Sequence, residues 1–443
     1  MRVLVQLRSS PEAHRAATAL RPAAELAAGI ERGVGHFSAD ATYPVVHIPG
    51  VKTATGAAMS SLAQPLRFSF DAADSTYLMR GNIPDGPAQA GALAEAAAHP
   101  DVVGVFSDPL IESCPVCPGD APVGKEARVG TLLGRSKLAG SKLDGHGVLI
   151  AVVDTGINVQ YLRGKGRKPK LDAARSWVPA GVTTKPGQHP VDHGTMCAYD
   201  VGIMAPRATL LDYAILLSRT AGATAMAGLL SDAVVAYSRL RQILNSMPAT
   251  RRGLVVSNSW GMFSPTWDFP PGHPGNYSDN PNHPFNLIVA SLEAAGADIL
   301  FAAGNCGRDC ADSRCGFGGT LPICGANSHP AVVSVAGVDV NNNRVGYSSQ
   351  GPGRLTSKKP DIAAYTHFVG SGVYAADGGT SAACPVAAGV VAAIRTRHKP
   401  SRVSPGQLRS LIQRTARDRG QSGYDFDYGW GILDGAALKK AAA

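Results

Sequence analysis

Residues 148–156 read VLIAVVDTG, an unbroken apolar run that ends in an acidic residue, a threonine and a glycine. Six apolar residues without polar alternation are typical of a strand buried on both faces of a parallel sheet. In such sheets, functional groups collect at the carboxyl ends of the strands. Asp154 lies at that end, and Gly156 leaves room for the chain to turn. The stretch therefore predicts a central strand that carries a functional carboxylate.

Further apolar runs follow along the chain, separated by segments with helical periodicity. These runs lie at 209–217, 254–257, 299–303 and 332–336. The clearest helical segment is Met226–Leu244, whose apolar residues recur every three to four positions. A second helix is predicted from about 381 to 395, and Ser404-Pro405 form a typical helix start. We therefore predict an α/β domain, with a parallel sheet flanked by helices, over residues 130–443.

The first 112 residues have a different pattern, which indicates a small α+β domain of the ferredoxin-like kind. Strands are predicted at 1–8, 75–82 and 102–106, and helical segments at 11–30 and 88–98. Residues 113–129 are rich in proline, glycine and charge, which predicts a linker with a processing region.

Three polar residues far apart in the chain have the types and the order of a nucleophilic triad. Asp154 comes first, His193 opens the sequence HGT, and Ser381 lies in GTSAACP. A serine hydroxyl needs a base to remove its proton, and that base needs a carboxylate to orient it. Asn305 follows the apolar run 299–303, so its side chain is predicted at the same sheet edge. There it would stabilise an oxyanion together with the backbone N–H of Ser381.

Six blocks closely resemble the catalytic blocks of subtilisin-like serine peptidases, and they occur in the order of that family. They are IAVVDTGI (150–157), HGT (193–195), GIMAPRA (202–208), VSNSWG (256–261), AAGN (302–305) and GTSAA (379–383). The resemblance implies a serine endopeptidase that hydrolyses peptide bonds of a protein or peptide substrate through an acyl-enzyme. Asp154 would orient His193, His193 would be the general base and acid, and Ser381 would attack.

The resemblance also implies where the substrate binds and what controls the enzyme. Ser259, Trp260 and Gly261 would line the cleft by strand addition, with core packing as the alternative for Trp260. Residues 1–112 would be a propeptide-like, intramolecular inhibitor, and the segment from about 109 to 128 would occupy the cleft and be cut there. Calcium is a candidate cofactor from the family resemblance, but no metal ligand can be named.

Two departures from the family pattern concern the shape of the pocket. After HGT the chain continues MCAY where the family has HVAG, and Ser381 is followed by AACPV where the family has MAxPH. Cys197 and Cys384 lie three or four residues beyond a triad member. They are interpreted as small buried apolar residues, with a redox pair as the alternative.

The other cysteines leave their chemistry open. Cys306, Cys310, Cys315 and Cys324 crowd one glycine-rich stretch whose spacing does not match a paired C-x-x-C zinc layout. Two disulfides, a Cys₄ zinc site and unlinked thiols are three alternatives. The Cys114-x-x-Cys117 pair lies in the linker without a thioredoxin-like context, so no redox catalysis is assigned to it.

Composition favours a globular protein without a nucleic-acid or membrane partner. The net charge of +9 is scattered, and no aromatic-interleaved basic stripe supports nucleic-acid binding. No 18-residue apolar segment predicts a membrane span, and the first residues do not form a signal-peptide core. We therefore expect a cytoplasmic protein, with secretion by another route as the alternative. The rival functions are a catalytically silent peptide-binding relative, an esterase or peptide ligase, and a nucleic-acid binder.

Overall fold

A computed structural model describes residues 1–34, 36–52, 67–113, 121–217, 226–310, 315 and 322–443. The chain divides into two compact units. The first unit comprises residues 1–109, 229–242 and 266–295, and the second comprises 110–228, 243–265 and 296–443. Over the described ranges, every helix is too short or too polar to cross a membrane.

The regular elements are numbered here in chain order. The strands are β1 (Arg2–Leu7), β2 (Ser38–Ala39), β3 (Val46–Ile48), β4 (Gly50–Lys52), β5 (Arg67–Ser69), β6 (Thr76–Asn82), β7 (Val102–Ser107), β8 (Leu110–Ser113), β9 (Leu149–Val153), β10 (Lys170–Leu171), β11 (Thr209–Tyr213), β12 (Ala227–Leu229), β13 (Leu254–Asn258), β14 (Trp260–Gly261), β15 (Ala297–Ala302), β16 (Val333–Val338) and β17 (Ile362–Tyr365). The helices are α1 (Pro11–Thr18), α2 (Ala24–Gly33), α3 (Gln89–Ala98), α4 (Glu126–Leu132), α5 (Arg135–Ala139), α6 (Val159–Gly164), α7 (His193–Met204), α8 (Leu230–Ser246), α9 (Pro284–Ala294), α10 (Gly379–Arg395), α11 (Pro405–Thr415) and α12 (Gly435–Ala442).

The second unit is built on a seven-stranded sheet in the order β10-β11-β9-β13-β15-β16-β17. Every pairing in it is parallel. All five residues of β9, β11 and β13 are buried, as the unbroken apolar runs predicted. Helix α10 packs against α7 and against the central strands β13, β15 and β16. The predicted α/β fold with a parallel sheet and flanking helices is therefore confirmed.

A small second sheet in this unit joins β12, β8 and β14 in that order. Strand β8 runs antiparallel to β14, with Ser113 opposite Trp260 and Glu112 opposite Gly261. On its other side, the Ser113 N–H donates to the Met226 carbonyl at 3.2 Å. Strand β8 thus pairs by its backbone with the segment that the sequence assigned to the substrate cleft.

The first unit contains an antiparallel sheet in the order β2-β6-β1-β7, with β3 also paired to β6. Helices α1 to α3 contribute alanines to its buried core, beside strand residues such as Val5 and Tyr77. The predicted order of strands and helices over 1–107 is present. The single helical segment expected at 11–30 is instead divided into α1 and α2, because Leu20 takes a positive φ of 46° and Pro22 follows it.

Candidate active site

Asp154 follows the last residue of β9, at the carboxyl edge of the sheet, and it is fully buried. Its Oδ1 accepts the N–H of Thr155 at 2.7 Å and the Nδ1–H of His193 at 2.8 Å. An uncompensated carboxylate at this depth would be very costly, so these bonds hold both its charge and its orientation. The sequence placed Asp154 and His193 in one site, and the structure brings them together.

His193 is the first residue of α7, and Asp192 caps that helix by accepting the His193 N–H at 2.8 Å. The next residue must be glycine because a methyl group on Gly194 would lie 2.5 Å from the Gly156 carbonyl oxygen. Burial lowers the pKa of His193, but the charge and hydrogen bond of Asp154, with the charge of Asp192, outweigh it and raise the pKa above 6.5. With Nδ1 bonded to Asp154, Nε2 is the ring atom available as the base, and no described residue bonds it.

Ser381 lies in the first turn of α10, where backbone N–H groups have no acceptor inside the helix. Its own carbonyl is released from the helix because Pro385, four residues on, has no N–H to donate. That carbonyl instead accepts the Ser259 hydroxyl at 2.9 Å and the Cys197 thiol at 3.5 Å. The proline therefore lets two groups outside the helix hold the nucleophile's backbone.

Cys197 joins the three triad residues. Its Sγ lies 3.6 Å from Asp154 Oδ2, 3.8 Å from His193 Nδ1 and 3.5 Å from the Ser381 carbonyl. Burial raises the pKa of Cys197 well above 9, and the charge of Asp154 raises it further, so the group is a neutral thiol. Among the described residues, Asp154, His193 and Cys197 form the one group of three His, Cys or acidic ligand atoms lying within 4.8 Å of one another. Two members of this group, Asp154 and His193, belong to the triad, so the group is part of the catalytic site.

Asn305 lies just beyond the carboxyl end of β15 and is buried. Its Oδ1 accepts both the backbone N–H of Thr380 at 2.9 Å and the Thr380 hydroxyl at 3.0 Å. Since the oxygen end of the amide is fixed in this way, the Nδ2 end is the hydrogen-bond donor of this side chain. The same two bonds tie Asn305 to the residue that precedes Ser381.

The Ser259–Gly261 segment serves the site mainly through its backbone. The Ser259 carbonyl lies 3.5 Å from Ser381 Oγ, and Trp260 and Gly261 pair with β8. The Trp260 indole is fully buried, with its ring centroid 5.1 Å from that of Phe301 in a perpendicular arrangement. The Trp260 side chain therefore packs in the core, and its backbone pairs with β8.

The cysteine-rich stretch contains a disulfide between Cys306 and Cys315, directly after Asn305. Cys310 is disulfide-bonded as well, whereas Cys324 has a buried thiol that donates to the Met262 carbonyl at 3.3 Å. None of the three alternatives holds for all four cysteines, because Cys306, Cys310 and Cys315 are disulfide-bonded and Cys324 is a free thiol. Cys114 and Cys117 lie outside the described residues.

The sequence analysis missed one acidic pair behind the triad. Asp200 on α7 and Asp377 just before α10 are both fully buried, and their carboxyl groups interact electrostatically. Burial, followed by the charge of Asp377, raises the pKa of Asp200 well above 3.8. Asp200 lies seven residues after His193, hence on the same helix face, and this spacing was the available signal.

Residues 145–431 match the subtilase family (peptidase S8). The chain is 27% identical over 313 residues to M-protease of Shouchella clausii. This alignment covers 67% of this chain and 66% of M-protease. It is also 27% identical over 313 residues to Subtilisin Savinase of Lederbergia lenta, over 67% of this chain and 93% of that protein. The alignment thus spans about two thirds of the length of M-protease. Both alignments confirm the predicted resemblance.

Proposed function

Because the chain belongs to the subtilase family, we propose that it is a serine endopeptidase that hydrolyses peptide bonds through an acyl-enzyme. The observation that carries the proposal is the buried pair of Asp154 and His193, joined at 2.8 Å. The Cys197 sulfur connects this pair to the residue of the nucleophile, Ser381. Protein or peptide substrates follow from this chemistry.

The residues then have distinct roles in the reaction. His193 Nε2 takes the proton of the Ser381 hydroxyl as Oγ attacks the carbonyl carbon of the scissile bond. The oxyanion receives hydrogen bonds from Asn305 Nδ2 and from the Ser381 backbone N–H. His193 next gives its proton to the leaving amine, and the carbon–nitrogen bond breaks. Water, activated by the same imidazole, hydrolyses the ester and restores the hydroxyl. Asp154 keeps Nδ1 protonated and stabilises the imidazolium.

The central test is covalent labelling followed by cleavage of a diverse peptide library. A fluorophosphonate probe should label the wild type, and Ser381→Ala should abolish the labelling. Ser410→Ala, which changes an exposed serine on α11, is the matched control and should label normally. Cleavage sites are then determined by mass spectrometry.

A folded wild-type protein that takes no label would instead be the silent peptide-binding relative. Ester hydrolysis or transfer to an added amine, without peptide hydrolysis, would favour the esterase or ligase.

The N-terminal part of the chain acts, in our proposal, as an intramolecular inhibitor. Strand β8 directly follows residues 1–109, and it pairs with β14 in the antiparallel manner of a bound peptide. Ile111 and Ser113 of this strand are fully buried. The segment that links the N-terminal part to the peptidase therefore competes for the backbone groups that a substrate needs.

Two measurements test the inhibitor proposal. Purified active enzyme should have lost Met1, and Ser381→Ala should block that cut. A synthetic peptide of residues 107–113 should inhibit the mature enzyme competitively, whereas a peptide of the same composition in scrambled order should not. An intact Met1 in the active enzyme, with processing unchanged in Ser381→Ala, would rule out self-processing.

A further inference from the structure

The backbone segments Ser259–Gly261 and Ala302–Asn305 both lie beside Ser381, and the space between them is termed the slot here. The Asn327 amide fixes the spacing between them, because its Nδ2 donates to the Trp260 carbonyl at 2.8 Å and to the Ala302 carbonyl at 2.9 Å. Asn327 is itself buried. A single side chain thus holds the two walls together, and the slot cannot widen without breaking these bonds.

The ring of Phe263 lies between the two glycines of these walls. A methyl group on Gly261 would be 3.5 Å from Phe263 Cε1, and one on Gly304 would be 3.8 Å from the same carbon. One ring atom is therefore in reach of both walls. Phe263 is 5% exposed, and the preceding Met262 carbonyl is held by the Cys324 thiol. The Phe263 ring lies where a side chain on Gly261 or Gly304 would extend. The Cys324 thiol holds the backbone next to Phe263 through the Met262 carbonyl.

The register of β8 indicates which substrate residue meets this slot. Ser113 is opposite Trp260, so the next residue of a peptide in this register is opposite Ser259. The Ser259 carbonyl is 3.5 Å from Ser381 Oγ, which places the carbonyl of that residue at the nucleophile. This residue, termed P1 here, is flanked by the Ser259–Gly261 segment on one side and by Gly304-Asn305 on the other.

We propose that Phe263 closes the P1 slot and makes the enzyme selective for small P1 residues such as glycine, alanine, serine and cysteine. The proposal rests on the peptidase function given above. A ring that lies within 4 Å of where a side chain on either glycine would begin leaves little volume for a second large side chain, because protein interiors do not expand to admit one without strain. The expected discrimination is therefore steric, and it acts on P1 rather than on the triad.

The test uses the full chain and a set of acylated tetrapeptide p-nitroanilides that differ in the P1 residue, which is alanine, leucine or phenylalanine. In the wild type, kcat/KM for P1 alanine should exceed that for P1 phenylalanine by about tenfold or more. Phe263→Ala should raise kcat/KM for P1 phenylalanine by about tenfold, with P1 alanine changed less than about threefold. Phe263→Leu keeps most of the volume and should retain the preference for alanine.

The matched control is Phe285→Leu, which trims a buried ring on α9 that packs on Tyr237. It should lower stability and leave the ratio between the P1 substrates unchanged. If Phe263→Ala does not fold, the kcat/KM values of the wild type and of Phe263→Leu still test the proposal. A wild type that prefers P1 phenylalanine over P1 alanine would overturn it. A protein that neither takes the fluorophosphonate label nor cleaves any substrate would instead refute the peptidase function itself.

Discussion

The free energy of unfolding should fall as pH rises because of Asp200, and the substitution Asp200→Asn should remove most of this loss. Asp200 is fully buried on α7, and among the described residues its oxygens accept no hydrogen bond from an N–H or hydroxyl donor. The group that it meets is the carboxyl of Asp377, which already accepts the backbone N–H and the hydroxyl of Ser371. Two buried carboxyl groups that interact this strongly do not both stay ionised, so one of them carries a proton. Asp200 is that group, because its pKa is raised well above 3.8.

The size of the effect follows from proton linkage. The unfolded chain releases the Asp200 proton as pH rises past 3.8, whereas the folded protein retains it, so the folded state binds one more proton. The stability that this group contributes is complete below pH 3.8 and falls as pH rises, by about 1.4 kcal/mol for each pH unit below the folded pKa. The loss continues with this slope until the pH reaches the raised pKa of Asp200 in the folded protein. Asparagine has no such proton, and its amide can donate to Asp377.

The assay is urea unfolding at pH 5, 6 and 7, with Ser381→Ala as the background in both proteins to prevent self-digestion. The free energy of unfolding of Asp200→Asn, relative to its parent, should increase from pH 5 upward, by at most about 1.4 kcal/mol for each pH unit. Near pH 4 the two proteins should differ least, which provides an internal control. A difference that stays constant from pH 5 to 7 would refute the shared proton, since it would show that Asp200 titrates alike in the folded and unfolded protein.

Three further predictions concern the site itself. Asn305→Ala should lower kcat by about 100- to 1000-fold with little change in KM, because one oxyanion donor is lost, and steady-state kinetics with one peptide substrate will measure it. Because the pKa of His193 is raised above 6.5, the acid limb of kcat/KM against pH should have its midpoint above that value, and a midpoint below pH 6 would contradict this. Cys197 and Cys384 should resist iodoacetamide in the folded enzyme and react after unfolding, as peptide mass spectrometry will show, because burial raises the pKa of Cys197 well above 9 and that of Cys384 to about 12.

The sequence sufficed for the central sheet because its signal is local. A strand buried on both faces is mostly apolar, so the run VLIAVV at 148–153, followed by a turn, indicates such a strand. The edge strand Lys170–Leu171 has only two residues and one basic side chain, and no pattern of that length distinguishes it from a loop. The division of 11–30 into two helices depended on the positive φ of Leu20, which propensity does not reveal.

The site could be predicted as a set of residues but not as a set of contacts. Asp154 and His193 were identified by their motifs, and the structure joins them. The pairing of Asp200 with Asp377 requires that α7 and the turn before α10 be packed together, a contact across 177 positions that no local pattern encodes. The state of Cys324 was open for the same reason, since its partner is the distant Met262 carbonyl.

One departure from the family pattern near the triad, Cys197, contacts the backbone of Ser381. Pro385 frees the Ser381 carbonyl from its helix, and a buried carbonyl without a donor would be unfavourable. The Cys197 thiol and the Ser259 hydroxyl supply the donors. Cys197 belongs to the helix that carries His193, and Ser259 directly precedes the strand that pairs with β8. One oxygen atom therefore links the helix of the base, the strand of the substrate cleft and the nucleophile, so a change at either donor should alter the position of Ser381 as well as the shape of the pocket.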